Sequence, residues 1–473
     1  MSRRQLDWPD TEVGRLARKA VDAFVEAQRI DDRIVPADFS GKDVLATELD
    51  CCPPELARDE DTLLRLFSAA GRNAVENRAA RFMAFFPTRG LPAGSLAAML
   101  AAGYNRPTGA PDYAPHLVRM EHSLMRWLCE LFALPGGSIG TMTSGTSMST
   151  LIAVAAAADT LPDVTSRADA TVYVTEQTHH CVAKALRVAG FPATALREVP
   201  MTPDWGMDAA AARRMVAADR AAGRLPFLLV GTAGTTANGA IDALGELADL
   251  ADDEDLWFHV DGAYGGFFQL TERGGRRLAG IGRADSIALD PPKTLFLPFG
   301  TGVLLVREAA HLHRTFSQRG DYMTDLDDDS LPSYTDLGPE LSREYRAAQL
   351  WLPLHLHGVA AFRETLDDML DLAEFAHDDL AGDPALDVGP PPRLATVVFR
   401  LADGTDEDNR DLLRRINHDG RTHLSGCVVG GRYFLRMTVL NPATYRSEVE
   451  GALAGIHDAV RRRVLTHQRG GGA

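Results

Sequence analysis

Short apolar segments alternate with helix-length segments through the middle of the chain. The apolar segments are 171–175 (TVYVT), 227–233 (FLLVGTA), 256–264 (LWFHVDGAY), 285–290 (DSIALD) and 302–308 (GVLLVRE). Apolar runs of this length, separated by helical stretches, are typical of parallel strands covered by helices on both faces. The pattern therefore predicts an α/β region built on a mainly parallel sheet.

The two ends of the chain have different patterns. Residues 1–75 place apolar residues at helical spacing, as in LARKAVDAFVEAQRI, and predict an N-terminal helical segment. A proline-rich stretch at 383–394 precedes two further apolar segments, TVVFRL and YFLRMTV. We therefore predict the helical segment over 1–75, a large domain over 76–365 and a small C-terminal α/β domain over 366–473.

Composition narrows the range of partners. The net charge of −16 disfavours nucleic acid and anionic membrane surfaces, because both attract basic faces. No apolar run approaches the roughly 20 residues of a membrane-spanning helix, and the start of the chain lacks the apolar run of a secretory signal. The five cysteines form no CxxC pair and no zinc spacing, so we expect reduced thiols in a cytoplasmic protein.

Two polar turns lead into helical stretches. The turn 144–147 (SGTS) presents backbone N–H groups and hydroxyls at the positive end of a helix, where phosphate binds well. Such a turn is also an ordinary helix cap. In the second turn, His179 could stack on a planar heterocycle, although a histidine at a helix start is more often structural. We interpret His180 as a structural neighbour.

Asp261 and Lys293 each follow an apolar strand segment. Asp261 lies at the carboxyl edge, where open α/β sheets bind ligands. A carboxylate there needs a cationic partner, such as a protonated pyridine nitrogen or an arginine. His259, two residues earlier, should lie on the same side of the strand. The apolar surroundings of Lys293 disfavour its charged form, as Schiff-base chemistry requires, but such a lysine can also extend to solvent.

These residues, in this order, resemble the group II pyridoxal-phosphate (PLP) decarboxylases, the family of aromatic-amino-acid, glutamate and histidine decarboxylases. The family motif HVDAAY is matched at 259–264, NPHK or DPHK at 290–293, and a DQAHSS-like segment at 176–181. A GTT segment is present at 234–236, and the resemblance spans roughly residues 75–460.

The resemblance implies a PLP-dependent transferase fold of type I, with a seven-stranded sheet in the large domain, and a homodimer with sites at the subunit interface. It implies that Lys293 holds PLP as a Schiff base, that His179 stacks on its ring and that Asp261 pairs with the pyridine nitrogen. The residues expected to bind PLP are Gly145, Thr146, Ser147, His179, Thr232, Thr235, Asp261, Ala263, Asp290 and Lys293.

Further matches concern substrate and catalysis. Aromatic-type relatives carry FPT near the substrate pocket. The corresponding residues here are Phe85, Phe86, Pro87 and Thr88. By its spacing from Lys293, Tyr322 corresponds to a mobile-loop tyrosine that protonates the substrate carbon, which aldehyde-forming relatives replace by phenylalanine. Arg436 corresponds to an arginine that meets a substrate carboxylate in glutamate decarboxylases. The expected catalytic residues are Lys293, His179, Tyr322 and Asp261.

Departures from the family pattern leave the substrate open. Pro292 replaces the histidine before the lysine, and the stretch GAPDYAPHLVRME (109–121) matches the glutamate branch. We predict decarboxylation of an L-amino acid to the amine and CO2, with an aromatic substrate favoured over an acidic or aliphatic one. The alternatives are a decarboxylation-dependent aldehyde synthase, an aminotransferase-like enzyme, and a non-catalytic scaffold that retains PLP.

Two histidine pairs are weaker candidates for metal ligands. The pairs His311/His313 and His355/His357 lie in segments with helical patterns, where residues i and i+2 do not share a face. We therefore expect surface or packing histidines there. The acidic run 325–329 lacks the glycine and terminal glutamate of an EF-hand loop. We predict no metal site.

Overall fold

The structure is a computed structural model that describes residues 6–30, 48–49, 52–86, 89–317 and 331–470. Three of the predicted site residues, Pro87, Thr88 and Tyr322, lie outside these ranges, as does the acidic run 325–329. The described helices are α1 (Asp10–Ala27), α2 (Glu60–Arg72), α3 (Pro92–Tyr104), α4 (Pro115–Leu131), α5 (Thr146–Ala158), α6 (Cys181–Val188), α7 (Ala209–Ala221), α8 (Leu244–Glu254), α9 (Glu272–Arg277), α10 (Pro291–Thr294), α11 (Ala309–Phe316), α12 (Ala347–Ala381), α13 (Asp406–Asp419) and α14 (Arg446–Gly470).

The large sheet has seven strands in the order β1-β7-β6-β5-β4-β2-β3. These strands are β1 (Ile139–Thr143), β2 (Ala170–Val174), β3 (Leu196–Glu198), β4 (Leu225–Thr232), β5 (Trp257–Gly262), β6 (Ser286–Leu289) and β7 (Gly302–Val306). Strand β7 is antiparallel to both β1 and β6, and the other pairs are parallel. The predicted mainly parallel sheet is confirmed.

Both faces of the large sheet are covered, as the continuous apolar runs predicted. Along β4, Leu228 and Val230 belong to one buried cluster and Leu229 to the other, because successive side chains point to opposite faces. The five strands that the sequence predicted correspond to β2, β4, β5, β6 and β7. Strand β1 was not predicted, since its sequence IGTMT is neither continuously apolar nor alternating. Strand β3 has only three residues.

A second sheet confirms the predicted C-terminal α/β region. Its strands are β8 (Leu386–Val388), β9 (Thr396–Leu401), β10 (Ser425–Val429) and β11 (Arg432–Thr438), all antiparallel, in the order β10-β11-β9-β8. Its buried residues Val397, Phe399 and Leu435 join the same apolar cluster as the large sheet. The predicted domain limits at 75 and 365 stay predictions.

The N-terminal helical segment is confirmed by α1 and α2, which lie side by side. Lys19 bonds Asp61 at 2.7 Å, and Arg15 also contacts Glu60. None of the residues of α1 is buried, and Phe67 of α2 is 81% exposed. In the described parts of the chain no helix combines the length and apolar character needed to cross a bilayer. The cytoplasmic location stays a prediction.

A buried ion pair covers the open side of the edge strand β1. Arg343 and Glu121, whose side chains are almost fully buried, form a bidentate pair with N–O distances of 2.7 and 3.1 Å. The Met142 N–H of β1 donates to Glu121 at 3.4 Å, and the Met142 carbonyl accepts from Arg343 at 3.3 Å. The pair therefore satisfies the backbone N–H and carbonyl of Met142, as a neighbouring strand would. Glu121, which the sequence associated with the glutamate branch, contacts this strand edge.

We expect Arg343→Met to destabilise the protein by about 3–5 kcal/mol, because it leaves the Glu121 carboxylate buried without its partner. Urea unfolding of purified protein measures the change. A double variant, Arg343→Met with Glu121→Gln, should recover part of the loss. The matched control is Arg213→Met, which removes an exposed pair with Asp253 and should change little. An equal loss in the free energy of unfolding in Arg343→Met and in Arg213→Met would contradict the role of the buried pair.

Candidate functional site

The register of the central strands brings the predicted residues to one edge of the sheet. Thr232 of β4 pairs with Asp261 of β5, and Asp261 pairs with Ala288 of β6. Lys293 follows β6 on the short helix α10. Because parallel strands end at the same edge, these side chains meet at the carboxyl end of the sheet, where α/β proteins bind ligands.

A cavity of about 520 Å³ lies at this edge. Its wall contains nine of the ten residues predicted to bind PLP, namely Gly145, Thr146, Ser147, His179, Thr232, Asp261, Ala263, Asp290 and Lys293. The tenth, Thr235, is outside the wall. Its buried hydroxyl bonds Asn238 and accepts the Ala240 N–H instead.

The sequence interpretation missed some residues of the cavity wall. These are Met148 and Leu151. A further set also lines the cavity and lies within motifs that the sequence singled out, although its members were not named as site residues: Ser144, Gln177, Cys181, Gly234, Thr236 and Tyr264. Met148 and Leu151 follow the turn at helical spacing, so periodicity along α5 could have identified them. Tyr264 is the last residue of the strand motif 259–264.

The polar turn at the start of α5 is built to accept an anion. Gly145 precedes the helix with φ 154°, a backbone conformation that residues other than glycine rarely adopt. The N–H groups of Met148 and Ser149 donate to the Gly145 carbonyl, so those of Thr146 and Ser147 precede the first helical bonds. They lie at the positive end of the helix dipole, beside the cavity.

Strand β7 leaves room for this turn only because it carries a glycine. A Cβ atom at Gly302 would lie 2.5 Å from the carbonyl carbon of Gly145. The Thr143 hydroxyl bonds Ser149 at 2.8 Å and holds the end of β1 against α5. The Thr146 hydroxyl donates to the Leu289 carbonyl at 3.2 Å, which ties the turn to β6.

His179 precedes α6 and contributes its ring to the cavity wall. The Cys181 N–H donates to its Nδ1 at 3.3 Å, so that nitrogen acts as an acceptor. Burial is the main reason that the pKa of His179 is lowered. The ring therefore favours the neutral form with its proton on Nε2.

Asp261 is almost fully buried at the end of β5. Its Oδ1 accepts the Ala263 N–H at 3.0 Å. His259 does not hydrogen-bond it; its Nδ1 lies 2.8 Å from the Ser286 hydroxyl on β6. Burial lowers the pKa of His259 to about 4, so its ring is neutral near pH 7. The cationic partner that a buried carboxylate needs is therefore not His259.

Lys293 approaches the cavity between an acid and an aromatic ring. Its Nζ lies 3.4 Å from Asp290 Oδ2 and 4.9 Å from the centre of the Phe86 ring. Burial raises the pKa of Asp290, although the Lys293 charge opposes this shift. The amine is thus held in a partly desolvated position, with its side chain only 23% exposed.

Phe86 packs beside the lysine, but Phe85, Phe86 and Arg436 are not part of the cavity wall. Its ring centre is 4.5 Å from that of Tyr264, whose hydroxyl bonds Thr396 at 2.9 Å. Arg436 packs on Phe86 with its guanidinium carbon 4.7 Å from the ring centre, and its Nη2 donates to the Phe85 carbonyl. Phe85 itself is 62% exposed with a positive φ of 52°.

The residues of the cavity fit PLP. The turn of α5 offers an anion site for its phosphate, His179 a ring for stacking, Asp261 a carboxylate for the pyridine nitrogen and Lys293 an amine for its aldehyde. The buried Thr232 hydroxyl, which lines the cavity, has no hydrogen-bond partner among the described residues. A bound ligand could supply that partner. The fold and the site define a PLP-dependent enzyme of fold type I.

Comparisons with known proteins identify the family. The pyridoxal-dependent decarboxylase conserved domain matches residues 53–402. An aromatic-L-amino-acid decarboxylase of Bacillus atrophaeus is 32% identical over 450 residues, covering 93% of each chain. A phenylacetaldehyde synthase of Petunia hybrida is 28% identical, covering 77% of each chain. The crystal structure of Oryza sativa TDC with PLP and tryptamine superposes with a TM-score of 0.91 at 27% identity, covering 98% of this chain and 100% of that one.

The chain belongs to the group II PLP-dependent decarboxylases, and its cofactor is PLP. It is a carboxy-lyase. The family that the motifs at 176–181, 259–264 and 290–293 predicted is confirmed. The roles of individual residues stay predictions.

We expect Gly145→Ala to weaken PLP binding about tenfold, because a strained φ costs on the order of 1–3 kcal/mol and displaces the turn. Titration of the PLP-free protein with PLP, followed by tryptophan fluorescence, gives the dissociation constant. The control is Gly136→Ala, where an added Cβ meets no atom within 4 Å. An unchanged dissociation constant in Gly145→Ala would show that the turn does not contribute to PLP binding.

Proposed function

We propose that this protein decarboxylates an aromatic L-amino acid to the corresponding amine and CO2. The observation that carries the proposal is the aromatic pair of Tyr264, which lines the cavity, and Phe86, which packs against it beside Lys293 with the two ring centres 4.5 Å apart. Flat apolar rings favour an aromatic side chain by offset stacking and by burial of apolar area. The Bacillus atrophaeus relative is an aromatic-L-amino-acid decarboxylase, in agreement with this substrate class.

Each cavity residue has a proposed task. Bound PLP supplies an electron sink for the carbon that loses CO2. Asp261 would pair with the pyridine nitrogen and keep its proton, and His179 would stack on the ring. Lys293 would hold the cofactor through its amine. The Thr146 and Ser147 N–H groups would anchor the phosphate and so orient the cofactor.

The first test is CO2 release and product mass from PLP-loaded protein, across aromatic, acidic, basic and aliphatic L-amino acids. We expect one CO2 and one amine per turnover with an aromatic substrate. Lys293→Ala is the control. Its rate of CO2 release should be at least about 10³-fold lower, since it lacks the amine that anchors the cofactor. Amine from an acidic substrate alone would reject the aromatic assignment. No CO2 from any substrate would reject decarboxylation.

We propose that Tyr322 delivers the proton to the carbon that has lost CO2. Replacing its hydroxyl in Tyr322→Phe removes this proton donor, so amine formation should fall about 10²-fold or more. Aldehyde and hydrogen peroxide should appear with O2 present. Product mass and a peroxide assay measure both. Unchanged amine output would contradict the role. The control is Tyr113→Phe, at an exposed tyrosine outside the cavity wall.

A second candidate function is a decarboxylation-dependent aldehyde synthase. The phenylacetaldehyde synthase of Petunia hybrida is a relative over 77% of this chain. Tyr322 favours the amine, since the resemblance associates phenylalanine at this position with aldehyde formation. Aldehyde and peroxide from the unmodified protein would select the synthase. An aminotransferase-like reaction, which Pro292 leaves open, would give a keto acid without CO2.

We propose that the protein is a homodimer. Helix α3 has an apolar surface next to the site, with Met99 50%, Leu100 54% and Tyr104 70% exposed. The Leu91 N–H, just before this helix, donates to the Phe296 carbonyl close to Lys293. Exposed apolar surfaces of this kind mark subunit interfaces. A second copy is the occupant that the family resemblance implies.

Sedimentation velocity of the PLP-loaded protein should give twice the chain mass. Replacing Leu100 and Met99 by glutamate should yield monomers, because two carboxylates would be buried at the interface. The matched control replaces Val188, which is 72% exposed on α6, by glutamate. An active monomer of the unmodified protein would contradict the dimer.

A further inference from the structure

His180 has a contact that its position in the sequence did not indicate. Its ring centre lies 4.0 Å from that of His179, with the ring planes tilted by 40°. His180 is exposed at the N-cap of α6, whereas His179 is partly buried and lines the cavity. The DQAHSS-like motif has serine where this chain has His180. The ring contact is therefore a feature of this chain.

Two imidazoles this close do not both carry a proton at low cost, because two positive charges about 4 Å apart repel by about 1 kcal/mol even in water. The charged form costs more at His179, because its ring is the more buried of the two. His179 is already disposed to stay neutral, since its Nδ1 accepts the Cys181 N–H and cannot carry a proton at the same time.

We propose that His180 is a positioning residue that packs on His179 and disfavours protonation of its ring, whose tautomer the Cys181 N–H fixes. The inference rests on the proposed stacking role of His179. A lowered pKa keeps the neutral ring populated at lower pH than in a free histidine. His180 thus acts through His179 and does not itself line the cavity.

The other charged groups around His179 shift its pKa in opposite directions. Asp261 raises the pKa of His179, whereas Lys293 and Lys184 lower it together with His180 and burial. Asp261 and Lys293 line the cavity and would hold the cofactor, whereas His180 and Lys184 lie outside its wall. Lys184 lies in the first turn of α6 and has no ring that could pack on His179.

The experiment compares His180→Ser, which removes both ring and charge, with His180→Phe, which keeps a ring and removes the charge. Histidine labelled with ¹³C at Cε1 reports the titration of His179 in full-length protein, with and without PLP. The His179→Gln variant assigns the resonance. Lys184→Met is the matched control, because it removes a nearby charge without removing a ring. Circular dichroism confirms that each variant is folded.

We expect His179 to titrate at higher pH in both His180 variants, and less so in Lys184→Met. His180→Ser should also weaken PLP binding roughly threefold, whereas His180→Phe should stay close to the unmodified protein, since it keeps the aromatic contact. An unchanged titration of His179 in His180→Ser would overturn the inference. A raised pKa with unchanged PLP binding in all variants would support the coupling of the two histidines and reject the stacking role of His179.

Discussion

Parallel pairing of β4, β5 and β6 fixes where each strand ends, and the site depends on this register. Thr232, Asp261 and Ala288 lie side by side, so the chain leaves all three strands at the same edge. A slip of one residue in β5 would turn Asp261 to the opposite face of the sheet and replace it with Val260 or Gly262. The bulky residues Leu229, Phe258 and Ile287 prevent such a slip, because each is fully or almost fully buried in the same core cluster.

The carboxyl edge of the large sheet contains several buried polar side chains. Asp261, Asp290 and Thr232 are buried or nearly so, and such groups destabilise a fold unless they find partners. The Ala263 N–H donates to Asp261, and Lys293 pairs with Asp290. Thr232 belongs to the cavity wall, and its hydroxyl has no hydrogen-bond partner among the described residues. A polar ligand that supplied this partner would reduce the cost of burying the hydroxyl.

Sequence reasoning found the residues whose chemistry is local and missed those that depend on distant contacts. Asp261 and Lys293 follow apolar strands, and parallel strands end together, so their meeting could be predicted. Thr235 was placed in the site by its motif, yet its hydroxyl bonds Asn238 within the same turn. Glu121 pairs with Arg343, 222 residues away along the chain, and no pattern in either segment indicates that contact. The edge strand β1 was missed because its sequence IGTMT has neither a continuous apolar run nor a strict alternation.

The position of Arg436 bears on the choice between an aromatic and an acidic substrate. The resemblance to glutamate decarboxylases suggested that this guanidinium meets a substrate carboxylate. In the structure it is buried against Phe86 and donates to the Phe85 carbonyl, and it is outside the cavity wall. Burial lowers its pKa, so its charge already lacks full solvation. To bind an acidic side chain Arg436 would have to leave the Phe86 ring and the Phe85 carbonyl, and both contacts would be lost.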